Sequence, residues 1–576
     1  MKFDKIKNIA IIFLITFLVS FFSKFYLLNS LPPSLFSDEV DAGYQAMTFN
    51  RCFSDYNGNK FPIHFQSFSD WRTPLYIYSI SIVNIFIQNP ELSVRLPSVI
   101  FGSLSSVIFY LLLKKIKFKL IPALISTIVW TLNPWLFHFS RTGFEVSGMI
   151  LFFLLAIYSL ISYLTTKKTS YLYPMVIFFG LMPLFYSTSK LSLILIAVTI
   201  IYIWFHTIIK LPKKTIILLA CLTLFISSPL IIDTVRSRSG FRFSYINIFT
   251  EPHLDKKTDY LRYEDIYSDH IGEIGVVTPL SSKIIHNRYT LMLNKFIQNY
   301  ISSFSTDFLF LKGDLNLRHG FSNYGYFYLI DLVIFLIGMY SFLKTKNILK
   351  KQISKFFLIS LLLAPIPFAL TRDSLSPHAT RLILMAPSII YFISLGINYL
   401  YQKIKTTPLK ILLSFGLFIT YIISFLYFFH FYRYHYPQTS ARDWHYGIKQ
   451  TLSQVSKTNY KNFYISNKYE SFLPFYLFYQ NYVPIKQDCS PVKSIISQTS
   501  DYFTGLVTES NYHFGIIEWS SILNQSQILA TSAFIIPQSE LSTVENALSD
   551  KFSMKIINQS SQKYLNQENF IFFTIE

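Results

Sequence analysis

About eleven apolar runs, each near the length a helix needs to cross roughly 30 Å of hydrocarbon, govern what this chain can fold into. They lie at approximately 8–28, 92–113, 120–138, 146–164, 171–187, 191–209, 215–232, 324–343, 356–371, 382–402 and 409–432. Inside a bilayer no water is at hand to bond backbone N–H and C=O groups. Runs of this length must therefore close their hydrogen bonds internally, as α-helices. Of the 576 residues 51% are hydrophobic and only 14% charged, too little charge to cover a soluble surface of that size. The expected fold is mainly α, a polytopic transmembrane helical bundle.

Lysine placement orients the bundle, because cytoplasmic loops concentrate Lys and Arg. A twelfth and shorter apolar run, 74–88, decides the register. With that run held out of the membrane, Lys2, Lys5 and Lys7 precede the first span on the inner side. Four further clusters share that side with them: Lys114, Lys115, Lys117 and Lys119; Lys167 and Lys168; Lys210, Lys213 and Lys214; and, beyond a long loop, Lys344 through Lys355. Lys403, Lys405 and Lys410 complete the set, while the short outer turns carry only Arg141, Lys190, Arg372 and Arg381. Letting 74–88 span would flip the loops that precede the long loop, so this run is expected to lie on the outer surface or dip into it. The first residues, Met1 to Lys7, also suit a signal peptide. The apolar run behind them is too long and lacks a small-residue cleavage site, so an uncleaved first span is expected. The location implied is a cell membrane, multi-pass, with the N-terminus cytoplasmic.

Three larger parts then face outward: a first loop (29–91), a long loop (233–323) and a tail (433–576). The tail changes character. Lys461-Asn462-Phe463-Tyr464-Ile465-Ser466 reads as a strand, 441–455 and 542–552 read as helical, and the length suits one exoplasmic soluble α/β domain. The expected division is a membrane domain over 1–432 and this domain over 433–576. A net charge of +20 raises the question of nucleic acid, but the Lys and Arg sit in short clusters between apolar runs rather than on one stripe, which excludes that partner. Cys52, Cys221 and Cys489 have no metal-ligand spacing; Cys52 and Cys489 can pair if both lie outside the cell.

The chemistry-bearing residues gather on the outer side. Ser37-Asp38-Glu39-Val40-Asp41 puts carboxylates just beyond the first span, where a general base could reach an acceptor hydroxyl. The structural reading is a helix start, with Ser37 as N-cap and acids in the first turn. Adjacent helical residues diverge by about 100°, so Asp38 and Glu39 cannot share one task. Asp70-Trp71-Arg72-Thr73-Pro74 places Arg72 at the head of the apolar surface run, either clamping a phosphate through parallel hydrogen bonds or anchoring the interface with Trp71. Glu145 stands at the outer mouth between two spans, costly there unless paired or hydrated; Arg141, four residues earlier, is the partner a structural role would use. Lys190, Arg318, His319, His378 and Arg381 add cationic positions on the same side. Asp331, inside the eighth run, is expected near its outer end with polar partners. Carboxylates and cations at one membrane face suit an anionic lipid headgroup; they do not name a reaction.

Several stretches, in order, resemble the GT-C glycosyltransferases related to protein O-mannosyltransferases and to the aminoarabinose transferase of lipid A (family 39). SDEVDAGYQA is similar to the family's first acidic motif, and WRTPLYIY with NPELSVRLPSVIFG to its next two. SRTGFEVSGMILFF resembles its Arg-x3-Asp motif, with Glu145 where an Asp is usual. YSTSKLSLI, FSTDFLFLKGDLNLRHGFSNYGYFYLID and HATRLILMAPSIIY resemble later segments. The resemblance covers most of 1–432 and implies a fold of GT-C type and a membrane glycosyltransferase. The sugar would come from a polyprenyl-phosphate donor and go, with inversion, to an acceptor hydroxyl on a protein, lipid or glycan at the outer face. It carries the first-loop aspartate onto Asp38 as the base, with Glu39 and Glu145 as further catalytic candidates. The donor phosphate would fall to Arg72, Arg141, Lys190, Arg318, His319, His378 and Arg381, Arg72 standing where the aminoarabinose transferase has a Lys. No cofactor is implied, and metal dependence stays open. The competing readings are a polymerase or ligase moving preassembled lipid-linked glycans, and a lipid or polysaccharide transporter. The transporter would need ionisable groups near the midplane, whereas these lie at one face.

Overall fold

The computed structural model describes residues 2–68, 70–235, 246–269, 278–321, 323–372, 376–458, 460–480, 489, 496–508, 511–548 and 552–576. Every apolar run of the sequence is helical over most of its length. Five helices among the described residues are long and apolar enough to cross a membrane: Pro90–Lys115, Val146–Thr166, Ser189–Ile209, Ile348–Ala369 and Thr407–Tyr434. Some boundaries moved. The run 120–138 breaks at Asn133–Pro134 into Leu120–Leu132 and Pro134–Phe139, as the restriction on a residue before proline requires. The run 324–343 becomes helical only at Leu329. The disputed run 74–88 is a helix of 13 residues, Pro74–Phe86, about 20 Å long at 1.5 Å per residue, the same length as Leu120–Leu132.

The chain divides into two compact units. The first joins Met1–Leu104, His138–Gly148 and Leu426–Glu576. Within it the first outer loop folds as helix Ser37–Cys52, a two-stranded ribbon of β1 (Phe65–Gln66) and β2 (Trp71–Arg72), and helix Pro74–Phe86, which packs on Ser37–Cys52. Helix Ser37–Cys52 also packs on Leu473–Tyr479 of the tail, and Cys52 at its end is disulfide-bonded to Cys489.

The tail is built on a seven-stranded mixed sheet of β3 (Asn462–Ser466), β4 (Ile496–Ser500), β5 (Phe503–Val507), β6 (Tyr512–Ile517), β7 (Ser532–Pro537), β8 (Met554–Gln559) and β9 (Phe570–Ile575), in the order β4-β5-β6-β3-β7-β9-β8. β3 runs parallel to β6 and to β7, and every other pairing is antiparallel. All residues of β7 and β9 are buried, as expected of strands covered on both faces, whereas the edge strands β4 and β8 are largely exposed. Tyr464, Phe503, Trp519, Phe534 and Phe573 centre its core. The expected strand at 461–466 is β3. The expected helices appear as Ile448–Val455 and Leu541–Ala547; residues 549–551 of the second lie outside those described.

The second unit joins Ser105–Phe137 and Met149–Phe425. Helix Met385–Lys403 is buried on all sides from Met385 to Asn398, which makes it the hub of this unit. Helix Leu329–Lys344 packs against it so closely that a Cβ on Gly338 would fall 1.8 Å from the Phe392 carbonyl oxygen, the close backbone approach that small residues permit between membrane helices. Asp331 has the polar partners expected: it accepts from Tyr421 Oη at 2.7 Å and from the Tyr328 amide at 2.9 Å.

Candidate active site

Helix Ser37–Cys52 sets the site. Its N-cap is Phe36, in extended conformation, one residue before the Ser37 expected from the sequence. The cause is Glu39, whose Oε2 accepts the Phe36 amide at 3.3 Å and so satisfies a donor at the helix start. Asp38 and Asp41 lie three apart and therefore on one face. Both bind Arg72: Nη2 donates to Asp38 Oδ1 at 2.7 Å, and Nε donates to Asp41 Oδ2. Asp41 Oδ1 in turn accepts from Tyr56 Oη at 3.0 Å. The Asp38 side chain is 52% exposed and that of Asp41 only 4%.

The ribbon that carries Arg72 is tied to helix Ser37–Cys52 and to the preceding loop. Gln45 Nε2, on the same helix, donates to the Gln66 carbonyl at 2.7 Å, and Phe65 of β1 is the register partner of Arg72 on β2. Buried Asp55 shapes the preceding loop, accepting the amides of Asn57, Asn59 and Gln66. Burial works against the Arg72 charge. The carboxylates of Asp38 and Asp41 more than reverse that, with a smaller pull from Glu145, so its pKa rises well above the usual arginine value. Burial pushes the Asp41 carboxyl above the usual aspartate value, against the pull of Arg72 and Tyr56.

Glu39 turns the other way, into the interior. It is fully buried and binds Arg95, itself 2% exposed, through two parallel bonds of 2.9 and 3.0 Å. The other Arg95 donors go to the carbonyls of Leu28 (3.2 Å), Pro32 (3.0 Å) and Ser34, so all five N–H groups are used. Glu39 Oε1 also accepts the Gly143 amide at 2.6 Å, and a Cβ on Gly143 would stand 2.8 Å from Glu39 Cγ, so only glycine fits there.

The other expected site residues divide between the units. Glu145 precedes helix Val146–Thr166 and is half-buried, in the first unit, where its charge acts on Arg72. Arg141 is fully buried and donates to the carbonyls of Lys24 (2.5 Å), Tyr26 (2.8 Å) and Leu31 (3.1 Å), with the Tyr432 ring 5.7 Å from its guanidinium carbon. It thus ties the end of the first helix to the following loop. Lys190, Arg318, His319, His378 and Arg381 belong to the second unit. There Lys190 sits in the first turn of Ser189–Ile209, and Arg318 Nε donates to Asn316 Oδ1 at 3.4 Å. Arg381 lies in the short helix Ala379–Leu382, and His319 and His378 approach Asp314.

Sequence reasoning did not single out Asp41, Tyr56, Gln45, Arg95, Gly143 or Asp314. For Asp41 a signal existed, the three-residue spacing from Asp38. For Arg95 it was an ionisable residue within a spanning run.

Residues 71–232 match the sequence model of the dolichyl-phosphate-mannose-protein mannosyltransferase family. Among curated proteins none matches the sequence. Among solved structures the chain is similar to ArnT from Cupriavidus metallidurans bound to undecaprenyl phosphate, with 7% identity, 98% of this chain and 97% of that one covered, and a TM-score of 0.50. It also matches the same protein in the apo state (8%, 99% and 98%, TM-score 0.43). A third match is the Archaeoglobus fulgidus oligosaccharyltransferase complex with Zn and sulfate (14%, 85% and 59%, TM-score 0.43). The fold assignment rests on the first. The chain is a multi-pass membrane protein with a GT-C fold of the ArnT type and a C-terminal α/β region. The matched segment holds four of the stretches read from the sequence, WRTPLYIY, NPELSVRLPSVIFG, SRTGFEVSGMILFF and YSTSKLSLI, and accords with the resemblance.

Proposed function

We propose that this protein moves a sugar from a polyprenyl-phosphate donor to an acceptor hydroxyl at the outer membrane face, inverting the anomeric carbon. The observation that carries the proposal is the contact of the exposed carboxylate of Asp38 with the cation of Arg72. One is a base open to solvent; the other is a guanidinium able to bind a phosphate oxygen. Arg72 is fixed from one side by buried Asp41, so an incoming phosphate displaces the exposed partner and leaves Asp38 ionised beside the donor.

The reaction follows. The acceptor oxygen attacks C1 of the sugar while its proton passes to Asp38. The bond from C1 to the phosphate oxygen breaks, and polyprenyl phosphate leaves with one further negative charge, which Arg72 stabilises as it develops. A single displacement inverts C1, and the proton returns to water from the exposed carboxyl. The ArnT structure with bound undecaprenyl phosphate supports a polyprenyl-phosphate partner. The acceptor is a protein, lipid or glycan.

On this reading residues 1–432 form the transferase with a cytoplasmic N-terminus, and 433–576 an exoplasmic domain. The Cys52–Cys489 disulfide supports that sidedness, since such bonds persist in oxidising compartments. The test is Asp38→Asn in purified protein given a polyprenyl-phosphate sugar. General-base loss lowers turnover by about 10²–10⁴-fold, with donor binding retained. Near-normal turnover removes Asp38 from the chemistry.

A further inference from the structure

The second unit brings Asp314, His319 and His378 together, each offering one donor atom within 4.8 Å of the others. Asp314 and His319 are buried and His378 half-buried. We propose that these three side chains bind a divalent cation of the zinc class. The cation ties the loop 314–319 to the start of helix Ala379–Leu382, with a fourth position open to water or an anionic oxygen.

Donor chemistry selects the metal. Two imidazoles and one carboxylate suit zinc and its neighbours, whereas magnesium and calcium take oxygen ligands almost throughout. Spacing agrees. Two atoms each about 2.0–2.1 Å from a tetrahedral zinc stand roughly 3.3–3.4 Å apart. His319 Nδ1 and Asp314 Oδ2 are 3.5 Å apart, long for a hydrogen bond and close to that span. The two imidazole centroids are 4.6 Å apart, so a modest rotation of half-buried His378 closes the set.

The surroundings hold the donors in place. Asp314 Oδ1 accepts the Asn316 amide at 2.9 Å and Ser376 Oγ at 3.1 Å, and Oδ2 accepts the Ala379 amide at 2.9 Å. His378 Nδ1 meets Thr380 Oγ1 at 2.7 Å, and Tyr186 Oη donates to the same Thr380 oxygen at 3.3 Å. In the tautomer that donates Nδ1–H to Thr380, Nε2 carries the lone pair, the second-sphere arrangement usual for a metal-bound imidazole.

The rival occupant of the cluster is a proton on one histidine. The full-length protein, stripped with a chelator, is titrated with Zn²⁺ alone at pH 7.5 by calorimetry, without donor, so the result does not depend on the transferase reading. One equivalent of zinc binds, millimolar Mg²⁺ or Ca²⁺ does not displace it, and the thermal transition rises with zinc. His378→Ala abolishes binding, and Thr380→Val, which touches no metal, weakens it by about 10–100-fold. Sub-stoichiometric zinc, equal binding of Mg²⁺, or zinc affinity unchanged in both variants overturns the proposal.

Discussion

Glu39→Gln tests what holds the first loop in shape. The substitution keeps the size and removes the charge. Gln Oε1 can still accept the Gly143 amide, but the new amide nitrogen faces donors on the other side, the Phe36 amide and Arg95 Nη2. Arg95 is 2% exposed and has no route to water, so its charge is left uncompensated. Removing one partner of a buried ion pair costs about 3–5 kcal/mol. At 1.4 kcal/mol per factor of ten, local opening becomes roughly 10²- to several-thousand-fold easier. Hydrogen–deuterium exchange of peptides spanning residues 35–45 and 140–148 reads this directly, because both backbone amides that bind Glu39 lie in them. Arg95→Met is expected to be worse, since it strands the carbonyls of Leu28, Pro32 and Ser34 together with Glu39, at about 1–3 kcal/mol for each buried group. Exchange accelerated less than about ten-fold in Glu39→Gln, or a milder effect from Arg95→Met, would refute the reasoning.

Arg72→Ala weakens polyprenyl-phosphate binding by about 2–5 kcal/mol, and Arg72→Lys recovers part of it; binding unchanged in Arg72→Ala assigns Arg72 to the interface with Trp71. Reporter fusions after residues 118, 212 and 348 read cytoplasmic and a fusion at 450 reads exoplasmic; a cytoplasmic signal at 450 reverses the orientation. His513 on β6 stacks on Tyr464 at 4.2 Å, and burial lowers its pKa from the usual 6.5 to about 4. The unfolded chain then takes the proton first, so the tail loses stability as pH falls through that window. His513→Phe flattens the loss, as seen in exchange of the β6 amides, and an equal pH slope in the variant removes His513 as its source.

The membrane bundle was legible because its causes are local. A run of apolar residues is its own evidence, and lysine clusters set an expected sidedness without knowledge of any contact. The expectation that 74–88 lies at the surface came from the same charge pattern, and the run is helical as Pro74–Phe86. Asp38 and Arg72 were both readable as residues, the first from its motif and the second from its place at the head of a surface helix. Their mutual contact was not, since 34 positions separate them. Longer closures hide more completely. Glu39 meets Arg95 across 56 positions and Gly143 across 104, and no local pattern announces either. Arg141 shows the limit from the other side. Its neighbour Glu145 offered an obvious local partner, yet its guanidinium donates to the carbonyls of Lys24, at the end of the first helix, and of Tyr26 and Leu31 in the loop beyond it.

The division of labour among the three acids of SDEVD follows from helical geometry. At about 100° per residue, Asp38 and Asp41 stand roughly 60° apart, while Glu39 is turned away from both. One face therefore presents two carboxylates to Arg72, and the other delivers a single carboxylate to Arg95. Burial then separates the pair that shares a face. Asp41, 4% exposed and held by Tyr56, is placed to keep Arg72 still; Asp38, 52% exposed and bound to Arg72 through one nitrogen, is the partner that can be exchanged. A general base has to meet an acceptor arriving from solvent and return its proton there, which neither buried acid can do. The sequence offers three carboxylates within four residues, and position on the helix leaves Asp38 as the one suited to the proposed chemistry.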